Sequence, residues 1–228
     1  YTFNLWVVNQ GTFKLDTRTS NGYLRIFNQN GSLLNTWGSF NISDPNNIED
    51  NIEFNNPHGL TIYNNNIYIT DTYNHRILKL DQSGNLLQIF GGNRDINGNI
   101  ISGSFQYALQ YPKFIQVDSN NNLYVTENKA IRKITSTNWY TWNHGINNAG
   151  SYTPEYIRLD NNNVWITLDN SSYPYLAKYD LDGNLQSSWQ TSSSLSGSSG
   201  AQLLTDYETS KLFRKPKGIK IYNNYIYI

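Results

Sequence analysis

A chain of 228 residues in which 17 Lys and Arg balance 17 Asp and Glu carries no net charge, so it has no long-range attraction for a polyanion, which counts against nucleic acid as a partner. Cysteine is absent, which removes disulfides and thiolate metal sites, and no apolar run approaches the ~18–20 residues that a membrane-spanning helix needs. The length suits one large all-β domain or two small ones.

Taken in order, the chain opens with NLWVVN (4–9), a short strand of aromatic and β-branched residues. FNQNGSLLNTW (27–37) predicts two strands joined by a tight turn at Gly31. The stretch 54–92, FNNPHGLTIYNNNIYITDTYNHRILKLDQSGNLLQIFGG, predicts four strands carrying Leu60 and Ile62, then Ile67 and Ile69, then Ile77, Leu78 and Leu80, then Leu86, Leu87 and Ile89. Short segments of this composition bounded by Asn, Asp and Gly favour strands over helices. The second strand of this unit recurs: NNNIYIT ends at Thr70, NNNLYVT at Thr126, NNNVWIT at Thr167 and NNYIYI at Ile228. Leu5, Ile67, Leu123, Val164 and Ile226 are the matching anchors, and Pro57, Pro112, Pro154 and Pro216 precede the first strand of each copy. Gly31, Gly84 and Gly183 supply the positive φ of the hairpin between third and fourth strands, whereas ITSTNWYTW (134–142) lacks that glycine and requires another turn. Four antiparallel strands with an apolar face are not stable alone, and the repeated copies supply what covers them, which is the pattern of a propeller.

PHGLTIYNNNIYITDTYNHRILKLDQSGN (57–85) resembles an NHL repeat, with Pro57 and Gly59 opening the first strand, Asp71 after the second, Asn74-His75-Arg76-Ile77 opening the third and Gly84-Asn85 turning into the fourth. The resemblance implies an all-β fold, a β-propeller of four-stranded antiparallel blades of NHL type, six-bladed when complete. It implies a single propeller domain over 1–228, with a partial blade at 1–38, blades at about 54–92, 107–145 and 153–190, and a partial blade at 213–228. Both ends fall inside a second strand and methionine is absent even at position 1, so the 228 residues are expected to be part of a longer ring.

In such a fold the turns after first and third strands share one face, and here they are short, Asn-rich and repetitive. The other connections, 11–22, 39–53, 93–106, 170–174 and 191–212, differ in length and charge, and they mark the expected binding face. The run TSSSLSGSSG (191–200) reads as a flexible loop. Sequons at Asn30, Asn41 and Asn170 are expected by chance in so Asn-rich a chain.

Asp71, Asn74, His75 and Arg76 read as a structural motif, Asp71 accepting backbone N–H groups and pairing with Arg76. Asn9, Glu127 and Leu168 stand at the Asp71 position in other copies, so no ring of identical sites is expected. The residues after the prolines, His58, Lys113, Glu155 and Lys217, are the candidate ligand-binding set at the channel mouth. Peptidyl-hydroxyglycine amidating lyases, NHL-like propellers, place zinc-binding histidines in Pro-His motifs at this point. Zinc would need three ligands, but this chain has three histidines in all, His75 lies in the structural turn, His144 lies away from the Pro-X position, and Lys113 and Lys217 repel a cation. No protein metal set or cofactor is therefore assigned, although the sequence leaves room for Ca²⁺ or Zn²⁺ in the channel. SKLFRKPKGIK (210–220) forms a basic interaction loop with Lys211, Arg214 and Lys215, opposed by the acidic Asp44, Glu49, Asp50 and Glu53. Asp169, Asp180 and Asp182 sit at strand ends or beside a turn glycine, as ordinary turn chemistry. There is no nucleophile or phosphate-loop motif.

The expectation is a rigid, non-enzymatic interaction scaffold that binds through the long-loop face and channel mouth. The partner expected first is a protein and second a glycan, for which Trp139, Tyr140 and Trp142 offer either stacking or packing between blades. The alternatives are a metal-dependent lyase or hydrolase at the channel mouth, and an RNA-binding NHL propeller. The same reading expects a larger assembly or longer chain, no membrane span, and an extracellular, cell-surface or virion-surface setting ahead of the cytoplasm.

Overall fold

The computed structural model describes residues 5–9, 23–37, 54–92, 108–142, 153–160, 162–169, 175–190, 218–222 and 225–227. These form five antiparallel sheets, each a simple meander. The first holds β1 (Leu5–Asn9), β2 (Tyr23–Phe27) and β3 (Leu33–Trp37); the second holds β4 (Pro57–Tyr63), β5 (Asn66–Asp71), β6 (Arg76–Leu80) and β7 (Leu86–Gly91). The third comprises β8 (Ile115–Val117), β9 (Leu123–Thr126), β10 (Ile131–Ile134) and β11 (Trp139–Trp142); the fourth comprises β12 (Thr153–Leu159), β13 (Asn163–Asp169), β14 (Tyr175–Asp180) and β15 (Leu185–Gln190). β16 (Lys220–Tyr222) and β17 (Tyr225–Tyr227) pair at the end. Among the described residues the one helical piece is a 3-10 turn, Thr72–Asn74. The fold is all-β and its four-stranded sheets are blades of the propeller type. The chain divides into two compact units, Tyr1–Lys113 and Phe114–Ile228.

The hairpins explain why the meanders form here. Gly31, Gly84 and Gly183 have φ of 78°, 91° and 90°, and each hairpin is followed by a one-residue register shift, at Ile26/Phe27, Lys79/Leu80 and Lys178/Tyr179. This is a turn closed by a left-handed residue that makes a bulge. An Asp or Asn at the first position holds it: Asp81 Oδ1 accepts the Ser83 and Asn85 N–H groups, Asp180 Oδ1 those of Asp182 and Asn184, and Asn28 Oδ1 those of Asn30 and Ser32. The β8–β9 hairpin uses the same device on Asp118, with Asn121 at φ 63° in the glycine position. The β4–β5 hairpin instead places Asn64 and Asn65 both at positive φ, 47° and 60°. Where glycine is missing, between β10 and β11, Thr135 Oγ1 accepts the Asn138 N–H at 3.0 Å.

Within each blade the second strand is the core. Ile67, Ile69, Val125, Val164 and Ile166 are fully buried and Leu123 nearly so, and on the opposite face of the same strands Tyr68, Tyr124 and Trp165 are buried too. In the first unit Ile67 and Ile69 pack with Leu78, Leu80, Phe54 and Leu24, and Trp37 and Leu60 lie against them. In the second unit Tyr124, Ile131 and Trp142 pack against Ile157, Val164, Ile166, Leu168, Ala177 and Tyr179, while Trp165 and Leu176 meet Ile219. Full burial of each such aliphatic side chain stabilises by about 1.5–3 kcal/mol. The apolar residues of β7 do not share this core: Leu86, Leu87 and Ile89 are exposed, as are Leu33 and Leu34 on β3. An outermost strand has a partner on one edge alone, so its alternation carries less information than that of the strands inside.

A recurring threonine ties each second strand to its surroundings. Thr70, Thr126 and Thr167 accept backbone N–H bonds from Gly59, Phe114 and Tyr156 at 2.7, 3.0 and 3.1 Å. Thr70 Oγ1 also donates to the Lys113 carbonyl, and Thr126 Oγ1 to the Glu155 carbonyl at 3.3 Å. A second recurring contact sets a tryptophan on a hairpin glycine, Trp37 on Gly84 and Trp142 on Gly183.

Gly31 and Gly183 share the backbone strain and differ in surroundings: a Cβ on Gly31 would meet nothing within 4 Å, whereas one on Gly183 would lie 2.5 Å from the Trp142 ring. Gly31→Ala should therefore cost about 1–2 kcal/mol, the left-handed penalty alone. Gly183→Ala adds overpacking of about 1–3 kcal/mol. Urea unfolding of both variants checks the difference.

Candidate functional site

At the end of the second blade opposite its hairpins, β5 stops at Asp71, which is fully buried. Its Oδ1 accepts the Asn55 N–H at 2.6 Å, and its Oδ2 accepts Asn74 Nδ2 at 2.8 Å and Arg76 Nε at 2.7 Å. Burial pushes the Asp71 carboxyl above its ordinary range, against the pull of Arg76 and the Asn55 and Asn74 donors. His75, at φ 52°, closes the 3-10 turn, and its carbonyl accepts the Gly92 N–H. The His75 ring is buried, its Nδ1 accepts the Tyr111 N–H at 3.2 Å, and it lies 4.3 Å from the Tyr111 ring. Burial lowers its pKa, only partly offset by a hydrogen bond with the Leu109 backbone. The four residues thus form a structural bracket, as their pattern implies.

The third blade keeps the bracket in altered form. Glu127, at the Asp71 position, pairs with Arg132 at 3.1 Å, and Arg132 Nη1 donates to Thr141 Oγ1 at 2.6 Å. Arg76 precedes Ile77, whereas Arg132 follows Ile131; Ile77 and Ile131 pair with the equivalent Thr70 and Thr126. The guanidinium therefore comes from two positions further along the third strand. The five-residue spacing from acid to arginine is the same in both blades and is the sequence signal for the pair, whereas the register of the arginine on the third strand differs.

A third set of contacts recurs in all three four-stranded blades. Lys79, Lys133 and Lys178 stand over the rings of their cross-strand partners Tyr68, Tyr124 and Trp165, at 5.7, 5.8 and 5.2 Å. Lys133 Nζ also donates to the Leu181 carbonyl at 2.6 Å and to Asp182 Oδ1 at 3.1 Å. At the hairpin ends, Tyr124 Oη donates to Asp118 and Trp165 Nε1 to Asp160. Burial and then Asp118 raise the Tyr124 pKa. For Asp160, burial is outweighed by the donors Trp165, Asn162 and Asn163, which hold the carboxyl below its usual range.

Of the proposed channel-mouth set, His58 is half-buried on β4 and Lys113 half-buried beyond Pro112, both in the first unit; Glu155 is buried on β12 in the second. The Lys113 and Glu155 carbonyls are the acceptors of the Thr70 and Thr126 hydroxyls, so the backbone at these positions is fixed. Lys217 and the basic-loop residues Lys211, Arg214 and Lys215 lie outside the described residues, as do the acidic Asp44, Glu49, Asp50 and Glu53 and residue His144. Among the described residues, no three of His, Asp and Glu are grouped to hold a metal ion, and no helix is long and apolar enough to cross a membrane.

Four-stranded meander blades, a second strand buried on both faces and a repeated hairpin chemistry define a protein of the β-propeller class. Within it, residues 54–80 match the NHL repeat family. No curated protein sequence matches the chain. Among solved structures it is similar to virginiamycin B lyase from Staphylococcus aureus, at 18% identity over 72% of this chain and 47% of that one, with a TM-score of 0.47. It is also similar to hydrazine synthase of Kuenenia stuttgartiensis, at 10% identity over 73% of this chain and 42% of that one, with a TM-score of 0.49. The chain spans less than half the length of either, and no residue role passes from them to this chain.

The bracket gives a pH prediction. A His75 pKa lowered by burial means a neutral ring contributes stability that is fully present above the unfolded value of about 6.5 and is lost as pH falls through the folded value. Asp71, whose pKa is raised, acts in the opposite sense. Melting curves from pH 7.5 to 5 should show a falling Tm, and His75→Asn, which tolerates the positive φ and does not titrate, should flatten that fall.

Proposed function

We propose that this chain is a non-enzymatic NHL-type propeller scaffold, part of a six-bladed ring, that binds a protein partner through the long-loop ends of its blades and the channel mouth, with a glycan as the second class of ligand. The observation that carries this reading is how the ionisable groups at those ends are used. Asp71 is taken up by Arg76, Asn74 and the Asn55 N–H, and Glu127 by Arg132, so these two buried carboxylates serve architecture. Four of the hairpins repeat one Asx-held turn, at Asn28, Asp81, Asp118 and Asp180, whereas a partner surface needs different groups at different places. His58, Lys113, Glu155 and Lys217 are the rim residues of this reading, and Lys211, Arg214 and Lys215 its basic loop.

The test is capture from native extract, with captured proteins identified by mass spectrometry and re-tested as purified pairs. Lys113→Glu with Lys217→Glu should weaken binding while leaving Tm nearly unchanged, since rim charges contribute about 0–1 kcal/mol. Asn65→Gly with Asn121→Gly, which keeps both positive-φ turns on the opposite face, should bind as wild type. Loss in the turn variant with full binding by the rim variant would reverse the assignment. A turnover that requires Zn²⁺ or Ca²⁺ would favour a lyase or hydrolase instead.

A further inference from the structure

Residues 108–113, the last of the first unit, are held against the long-loop end of the second blade by three side chains of that blade. Thr70 Oγ1 donates to the Lys113 carbonyl, Thr72 Oγ1 donates to the Pro112 carbonyl at 2.7 Å, and His75 Nδ1 accepts the Tyr111 N–H at 3.2 Å. Ala108 and Leu109 are fully buried. Of the three holding side chains, only a histidine changes charge between about pH 5 and 8.

His75 has no room to give way. Its N–H donates to the Thr72 carbonyl at 3.2 Å, and its carbonyl accepts the Gly92 N–H at 2.9 Å. A Cβ on Gly91 would lie 2.7 Å from that carbonyl and 3.1 Å from Leu109, so the end of β7 closes the far side. With Nδ1 as an acceptor the ring is the neutral Nε2–H tautomer. An imidazolium donates from both nitrogens, so no flip of the ring would restore an acceptor for Tyr111.

Tyr111 supplies the other half of the device. It stands at φ 51°, a costly region for a bulky side chain, between the buried Leu109 and Pro112. The same place before Pro57 is Asn56, at φ 52°, a residue type that accepts this region. The Tyr111 ring lies 4.3 Å from the His75 ring and meets Tyr73 edge-on at 5.9 Å, forming an aromatic corner.

We propose that His75 is a proton-operated latch: neutral, it holds Tyr111 at positive φ against the second blade, and protonated, it releases residues 109–111 while the blade stays folded. The other ionisable groups on the elements that meet here are Asp71, Tyr73 and Arg76 around the turn, His58 on β4, and Tyr111 and Lys113 on the held segment. Asp71 is the one carboxylate of this set, and it is engaged by Arg76 at 2.7 Å. Tyrosine and lysine side chains titrate at about pH 10, far from this range. An imidazolium would attract the face of the Tyr111 ring, but its Nδ1–H would point at the Tyr111 N–H and leave that donor without an acceptor. Tyr111 and Lys113 lie at the binding end under the function proposed above, so release would alter the surface offered to a partner. That consequence rests on the proposed function; the latch itself does not.

Amide-resolved hydrogen exchange of the 228-residue chain between pH 7.5 and 4.5 tests the latch without any partner. Below the folded His75 pKa, the protection factor of the Tyr111 amide should drop about tenfold per pH unit, as one linked proton requires. Gly92, bonded to the His75 backbone, and Ile67, in the core, should keep theirs. Imidazole nitrogen shifts should show Nε2 protonated and Nδ1 bare at pH 7.5, and the Tyr111 drop should follow the His75 titration. His75→Asn, which tolerates the positive φ, should remove the pH dependence, and His58→Gln should keep it. A Tyr111 protection factor that is constant over this range, or that falls equally in His75→Asn, would overturn the latch. So would a fall shared by Gly92 and Ile67, which would mean unfolding of the whole blade. None of these outcomes alters the rim-charge test, which reads protein capture.

Discussion

The second strand of each four-stranded blade is buried on both faces, and this constraint governs the rest of the structure. Ile67 and Ile69 need cover on one side and Tyr68 on the other; Leu123 and Val125 stand against Tyr124, and Val164 and Ile166 against Trp165. No single sheet meets that need, so each must be layered. The polar contacts then follow. The strand ends in a threonine that accepts an N–H from its own first strand and, at Thr70 and Thr126, donates to a carbonyl beyond the blade's own strands. The aromatic on its other face lies under a third-strand lysine in all three four-stranded blades. Burying the aromatic body while keeping the lysine head near polar groups lets one position serve both packing and solvation.

The two ends of the blades have divergent chemistry for the same reason. The hairpin end must turn the chain sharply in every copy, and an Asx-held loop with a left-handed Gly or Asn does so with local interactions alone. The other end must carry the chain between layers, and no local rule sets how. Its buried acid–arginine brackets differ between blades in the acid, in the register of the arginine and in the length of the turn. Variation is tolerated there, and variation is what a binding surface requires. Removing one partner of such a bracket would leave a buried charge exposed to its neighbours' low polarity, so the brackets are constraints on the surface they support.

How far this was legible in the sequence depends on the range of the interaction. The second strands, the hairpin glycines and the Asp71–Arg76 pair are local features, and Ile67, Gly84, Gly183 and Asp71 take the roles their spacing implies. The apolar run Leu86–Leu87–Ile89 reads like its neighbours but lies on the surface, because order within the sheet, which periodicity does not encode, decides its burial. Glu127–Arg132 keeps the five-residue spacing of Asp71–Arg76, but a shorter turn moves its arginine two positions along the third strand, which spacing does not encode. The Tyr73–Tyr111 corner is invisible until folding brings residues from separate segments together. The grouping of His58, Lys113, Glu155 and Lys217 rests on position in the repeat alone; the structure shows the Lys113 and Glu155 carbonyls accepting the Thr70 and Thr126 hydroxyls.

The threonine at the end of the second strand carries the central claim, that layering is enforced by a buried polar clip as well as by apolar contact. Urea unfolding of Thr126→Val and Thr126→Ser, with Thr36→Val on an outer strand as the reference, tests it most directly. Valine keeps the shape and leaves the Phe114 N–H and Glu155 carbonyl without their hydroxyl, so the account predicts a loss of about 1–3 kcal/mol, with serine retaining most of the stability and the reference nearly neutral. Equal stability of Thr126→Val and wild type would contradict it.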